Sequence, residues 1–258
     1  FDAPPGYHTR VRDEHVGLGH FQEGEFDDPT RIHHTSYHGG GGIEGAGSAP
    51  SKACKEYSDA YWHRLRRTYF ANVALIDDWI GALLAAVERR FHGNALVLFT
   101  TDHGEMLGNH RLWGKNNCAY EDVWNVPLLA RFPAESPGAT LHGTSTDAMV
   151  SLVDVTPTCL RAVGVDDLPL TDGSPLEDQI GRGGRPYVLA EGEGFMAISD
   201  GRTKYVTATR GTQRYRELLD LDADPHEFRN VIDRPEYAAR QAEVERTLLD
   251  VLVDALLP

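Results

Sequence analysis

Apolar residues recur at spacings of three and four between residues 58 and 90, where Leu65, Tyr69, Val73, Ile76, Ile80, Leu83, Leu84 and Val87 fall on one side. That period predicts a long amphipathic helix, with Ser58 placed to cap its first turn. His92, Gly93 and Asn94 are turn residues and end it. The texture then changes to short continuous apolar runs, ALVLFTT at 95–101 and VPLLARF at 126–132. Runs of this kind, bounded by turn residues, read as strands buried on both faces of a parallel sheet. SLVDVTPTCLRAVG, at 151–164, predicts a further helix with Asp154 or Thr156 near its start and Gly164 at its end.

From about residue 185 the pattern shortens again. YVLAEGEG, FMAISDGR, TKYVTATR and YRELLDL alternate with Gly-bearing or polar turns, the signature of an antiparallel meander. PEYAARQAEVERTLLDVLVDALL closes the chain as an amphipathic helix. Residues 1–57, rich in Gly, Pro, His and Asp, predict extended chain with little helix. The expected class is α/β, divided into a core over 1–183 and a smaller subdomain of antiparallel sheet plus helix over 184–258.

Charge and composition narrow the partners. Lys+Arg 25 against Asp+Glu 39 leaves a formal charge of −14, an acidic surface that argues against nucleic acid or anionic membrane. No uninterrupted apolar run reaches the roughly 18 residues of a membrane span, and no signal peptide is visible. Cys54, Cys118 and Cys159 are odd in number and lack CxxC spacing, so they read as reduced structural thiols in a cytoplasmic protein. The opening FDAPPGYHTR has no initiator methionine, and an upstream part is expected.

The candidate chemistry lies in TTDHGEMLGNHRLWGK, residues 100–115. Asp102 and His103 follow directly on the ALVLFTT strand, at the end of a strand where α/β folds place their ligands. A carboxylate beside an imidazole makes half of a divalent metal site. Gly104 and Gly108 allow tight bends, and Lys115 brings a mobile point charge suited to an anionic oxygen. Two other groupings read as structural. His33, His34 and His38 lie in a Gly-rich stretch that could suggest metal but reads as an exposed loop. Asp77 and Asp78 are helix neighbours about 100° apart, suited to a solvated face or a local salt bridge.

The whole phrase, followed by NVPLLARFP, resembles the sulfatase family of the alkaline phosphatase superfamily, whose phrase runs T-S-D-H-G-x-x-L-G-x-H-x-x-x-x-K before a V-P strand. FDAPPGY, YFANVALIDDWIGALLAAVE, SLVDVTPTCLRAVG and ELLDLDADPHEFRNV resemble further family segments in order, with Leu219 where the family usually has Tyr. The resemblance covers the family's C-terminal half. It implies an α/β/α sandwich core around a largely parallel sheet, incomplete in this chain. It implies that Asp102 and His103 bind a divalent metal, with calcium expected and manganese or zinc as alternatives. Lys115 would contact a small-molecule or carbohydrate sulfate ester and stabilise charge in catalysis. His110 matches a position near the substrate, where bracing the loop is the expected use.

These enzymes take their nucleophile, a formylglycine, from the cysteine of C-x-[PS]-x-R. KACKEY, NNCAYE and PTCLRA do not fit that pattern, so the nucleophile is expected on a missing N-terminal part. The reading is a metal-dependent sulfuric ester hydrolase, with this chain inactive alone. A phosphonate or phosphate ester hydrolase of the same superfamily and a non-catalytic sulfatase-like binding protein are the alternatives.

Overall fold

A computed structural model describes residues 3–32, 54–115, 118–165 and 171–256. His33, His34 and His38 lie outside them. The chain divides into two compact units interleaved in sequence: Phe1–Glu25, His33–Gly93 and His103–Asn116 form the first, and Phe26–Ile32, Asn94–Asp102 and Asn117–Pro258 the second.

The first unit is built on helix α1, Asp59–Phe91. Ser58 caps it as expected, its Oγ accepting the Tyr61 N–H at 3.3 Å. His92 ends it in the left-handed conformation, with Gly93 following at φ +81°. Asp78 forms a salt bridge, though across 68 positions of sequence and not locally, taking Arg10 at 2.6 Å and the Tyr7 hydroxyl at 3.0 Å. The helix buries Trp62 and Ala71, whereas Val73, Ile76, Trp79 and Leu83 stand exposed. The apolar stripe read from the sequence is therefore present but uncovered by the described residues over much of its length. By length and composition α1 could also cross a membrane, although no uninterrupted apolar run is that long. Its carboxylate–guanidinium pair and its anchoring by Trp62 to the loop described below tie it to the rest of its unit.

The second unit holds strands β1 (Val97–Phe99) and β2 (Leu129–Arg131), with the short helix α2 (Glu121–Trp124) between them in sequence. Both strands lie where the apolar runs placed them. They pair antiparallel, Leu98 opposite Ala130, which corrects the parallel arrangement expected of such runs. Nor are they buried on both faces among the described residues, since Phe99 and Leu129 are exposed; an apolar run leaves no mark of pairing direction.

Helix α3, Val155–Ala162, begins beside a buried hub. Asp154 is fully buried and accepts the N–H groups of Ser151 and Ser174, each at 2.9 Å, and Nε of Arg185 at 2.9 Å. Gly164, at φ +82°, closes the helix, and helix α4 follows at Leu176–Gly181.

The expected meander forms in full. Strands β3 (Val188–Gly192), β4 (Phe195–Ser199), β5 (Thr203–Arg210) and β6 (Gln213–Asp220) pair antiparallel in chain order. The period of two divides their apolar residues. Phe195, Ala197, Val206, Ala208 and Tyr215 pack with Ile32 and Ala119, while Ile198, Tyr205 and Leu218 pack with Val244 and Leu248 of the closing helix α5, Ala238–Leu256. The α/β class holds.

Candidate active site

The loop from His103 to Lys115 is held closed at its neck. The Met106 N–H donates to the Gly114 carbonyl at 3.0 Å, and the Gly108 N–H to that of Leu112 at 2.9 Å. Inside this closure the backbone is unusual. Leu107, His110 and Arg111 all have positive φ, as do Gly108 and Gly114. Such conformations cost of order 1–3 kcal/mol for residues with a side chain and persist only where the surroundings fix them.

The fixing groups are visible. Arg66 donates to the Leu107 carbonyl at 2.9 Å, and Gly108 lies flat on the Trp62 ring, where an added Cβ would meet Cε3 at 3.0 Å. His110 is fully buried: its N–H donates to the His20 carbonyl at 2.7 Å, and its Nδ1 lies 3.1 Å from Oε2 of Glu25. A side chain so enclosed braces the loop.

Closure brings together two residues twelve apart in sequence. Nζ of Lys115 lies 3.0 Å from Nε2 of His103, whose Nδ1 lies 2.9 Å from the Gly104 carbonyl. A carbonyl only accepts, so Nδ1 is the nitrogen that donates here, and Nε2 is the one turned toward the lysine. That is the tautomer in which histidine ligates metals, with the ring oriented by a backbone acceptor. Nε2 already faces a positive centre. Asp102, the preceding residue, is exposed at the end of the segment that carries β1, and its Oδ1 accepts the Thr101 hydroxyl at 3.3 Å. An imidazole nitrogen and a carboxylate are both donor types that divalent cations accept.

Glu105 is a residue that sequence reasoning passed over. Half-buried, it accepts the Leu107 N–H at 3.2 Å. Burial pushes its carboxyl up, against the pull of the Leu107 N–H and of Gly114, His103 and Lys115 nearby. Lys115 has no acidic neighbour within four positions in sequence, and only the fold returns Glu105 to its vicinity.

The thiols stand apart from this chemistry. Cys54 and Cys118 are buried and Cys159 is exposed. Burial pushes the Cys118 thiol up to about 12, far from the thiolate a nucleophile needs.

The family model described as Sulfatase matches residues 21–165, which include this loop. Choline-sulfatase of Rhizobium meliloti (strain 1021) is 36% identical over 190 residues, covering 69% of this chain and 35% of that protein. A structure solved with its substrate, D-glucosamine-2-N,6-O-disulfate, superposes with a TM-score of 0.66 at 25% identity, covering 75% of this chain and 41% of the other. The phosphonate monoester hydrolase of Agrobacterium radiobacter gives 0.67 at 26% identity, over 79% of this chain and 44% of its own. The chain spans well under half the length of the curated relatives it matches.

Proposed function

The chain belongs to the sulfatase family, and from that premise we propose that it forms part of a metal-dependent hydrolase of sulfuric esters. The observation that supports this best is the closure of the 103–115 loop, which sets an oriented imidazole beside a lysine ammonium. Asp102 and His103 would hold a divalent cation, with calcium expected and manganese or zinc as alternatives. When bound, the cation supplies Lewis-acid stabilisation of charge on the sulfate oxygens. Lys115 would meet the ester or leaving oxygen and stabilise the charge that grows there as the S–O bond breaks. The substrate class is a small-molecule or carbohydrate sulfate ester.

The nucleophile, a formylglycine in this reading, and the remaining ligands would come from the rest of the protein. This chain alone is then expected to be inactive. The same rest of the protein is the proposed partner of the exposed Val73, Ile76, Trp79 and Leu83 on α1.

The similarity to a phosphonate monoester hydrolase gives a second reading, hydrolysis of phosphonate or phosphate esters by the same residues. The test uses the complete protein with a chromogenic aryl sulfate and the matching phenyl phosphonate monoester. A higher kcat/KM on the sulfate is expected, and a clear preference for the phosphonate would replace the first reading with the second. Turnover of neither, with no C-x-[PS]-x-R upstream, would point to a non-catalytic binding protein.

A further inference from the structure

We propose that Arg66 of α1 is a positioning residue for Lys115, holding the peptide between Leu107 and Gly108 and, through the loop neck, the backbone from which the lysine projects. The inference rests on the reading of Lys115 as the substrate-contacting cation.

Trp62 and Arg66 lie four residues apart on α1 and so share one face of it. Both meet the same peptide unit of the loop. Nη1 of Arg66 donates to the Leu107 carbonyl at 2.9 Å, across 41 positions of sequence, and lies 3.5 Å from Oδ1 of Asn109. The Trp62 ring lies against Gly108, where an added Cβ would meet Cε3 at 3.0 Å. Phe70, one turn further along the same face, backs the guanidinium, which stands 5.8 Å from its ring centroid.

The peptide held in this way joins two residues of positive φ, Leu107 at +44° and Gly108 at +91°. A left-handed pair of this kind persists where its surroundings impose it, and a charged donor on the intervening carbonyl is one such constraint. From there the path to Lys115 is short. Met106, which precedes Leu107, donates its N–H to the Gly114 carbonyl at 3.0 Å, and that carbonyl belongs to the peptide that carries the Lys115 nitrogen. Gly108 donates to the Leu112 carbonyl at 2.9 Å. Both cross-loop bonds therefore start from residues that flank or form the held peptide.

The Lys115 side chain is exposed and depends on its backbone for placement. Displacing a reacting group by about 1 Å can cost on the order of 10²-fold in rate. The Arg66 donor is directed at the loop backbone, so its effect on the reaction would pass through the lysine.

The test is a double-mutant cycle in the complete protein, read as kcat/KM on whichever of the aryl sulfate and the phenyl phosphonate monoester it hydrolyses. Unfolding temperature and metal content are measured beside it. Arg66→Met keeps the aliphatic stem and removes the donors. It is expected to lose about tenfold or more, mainly in kcat, while keeping its metal. In a Lys115→Ala background the same change should cost less than about threefold, because the group it places is gone. Arg66→Lys keeps a charged donor and should recover part of the loss. If Arg66→Met fails to fold, Arg66→Gln takes its place in the cycle under the same criterion. Losses that differ by less than about threefold between the two backgrounds would overturn the positioning role, whatever happens to the unfolding temperature. A Lys115→Ala variant with full activity, or turnover of neither ester, would overturn the underlying reading instead, and this inference with it.

Discussion

Nζ of Lys115 stands 3.0 Å from Nε2 of His103, although twelve positions separate the two residues. The contact is produced by the loop between them, through the Met106–Gly114 and Gly108–Leu112 bonds, the Trp62 ring beneath Gly108 and the buried His110–Glu25 pair. A glycine-bearing phrase is required because several of these positions have positive φ. The residues between the site groups are thus part of how the site is made.

Lys115→Ala in the complete protein should lose about 10²–10³ in kcat/KM, the usual effect of deleting one preorganised donor to developing charge. Fold and metal content should be unchanged, since the ammonium is exposed. Lys115→Arg should restore only part, a planar fork being a poor substitute for a compact ammonium. Steady-state kinetics on an aryl sulfate decide the matter. Activity of Lys115→Ala within about threefold of wild type would reduce this residue to a solvated surface lysine.

Asp102→Ala and His103→Ala should each strip most of the divalent metal from the complete protein after dialysis, as read by elemental analysis. The two changes differ in kind. Replacing the imidazole by carboxylate, His103→Asp, gives an all-oxygen pair and should shift preference toward calcium over zinc. Wild-type metal content in both alanine variants would make the pair structural.

Local elements were legible in the sequence because their causes are local. The period of 3.6 along α1, the Ser58 cap, the His92–Gly93 stop and the period of two in the meander are all set by neighbouring residues. The pairing direction of β1 and β2 was not, since a short apolar run carries no mark of direction, and their exposed Phe99 and Leu129 were not foreseen either. Nor were the polar contacts made across long sequence distances. Lys204 is fully buried, 2.7 Å from Glu227 and 2.6 Å from Glu121, and Arg31 reaches Glu217 at 3.1 Å. A lysine in the strand phrase TKYVTATR gives no sign that its partner lies in ELLDLDADPHEFRNV. At the candidate site, Asp102, His103 and Lys115 were found through the phrase they share. Glu105 was missed because its nearness to Lys115 depends on a closure that only the fold reveals.

The last prediction concerns Asp154, whose carboxylate joins the start of α3, the Ser174 segment and Arg185. Burial alone would push its carboxyl up, but Arg185 and the N–H groups of Ser151 and Ser174 outweigh that and hold it below the usual carboxylate range. A depressed folded pKa means that the stabilisation is fully present above the unfolded value, about 3.9, and is lost as pH falls through the folded one. Asp154→Asn puts an amide N–H against the Arg185 donors and leaves the half-buried guanidinium without its counter-charge. At neutral pH this should cost about 3–5 kcal/mol, the range for breaking one side of a buried pair. The gap between wild type and variant should then narrow as pH drops below about 4, since the wild-type carboxylate is itself being protonated. Urea unfolding of both proteins at pH 7 and at pH 3 measures it. A gap of constant size across that interval would show that the hub works by shape and neutral hydrogen bonds, with its charge contributing nothing.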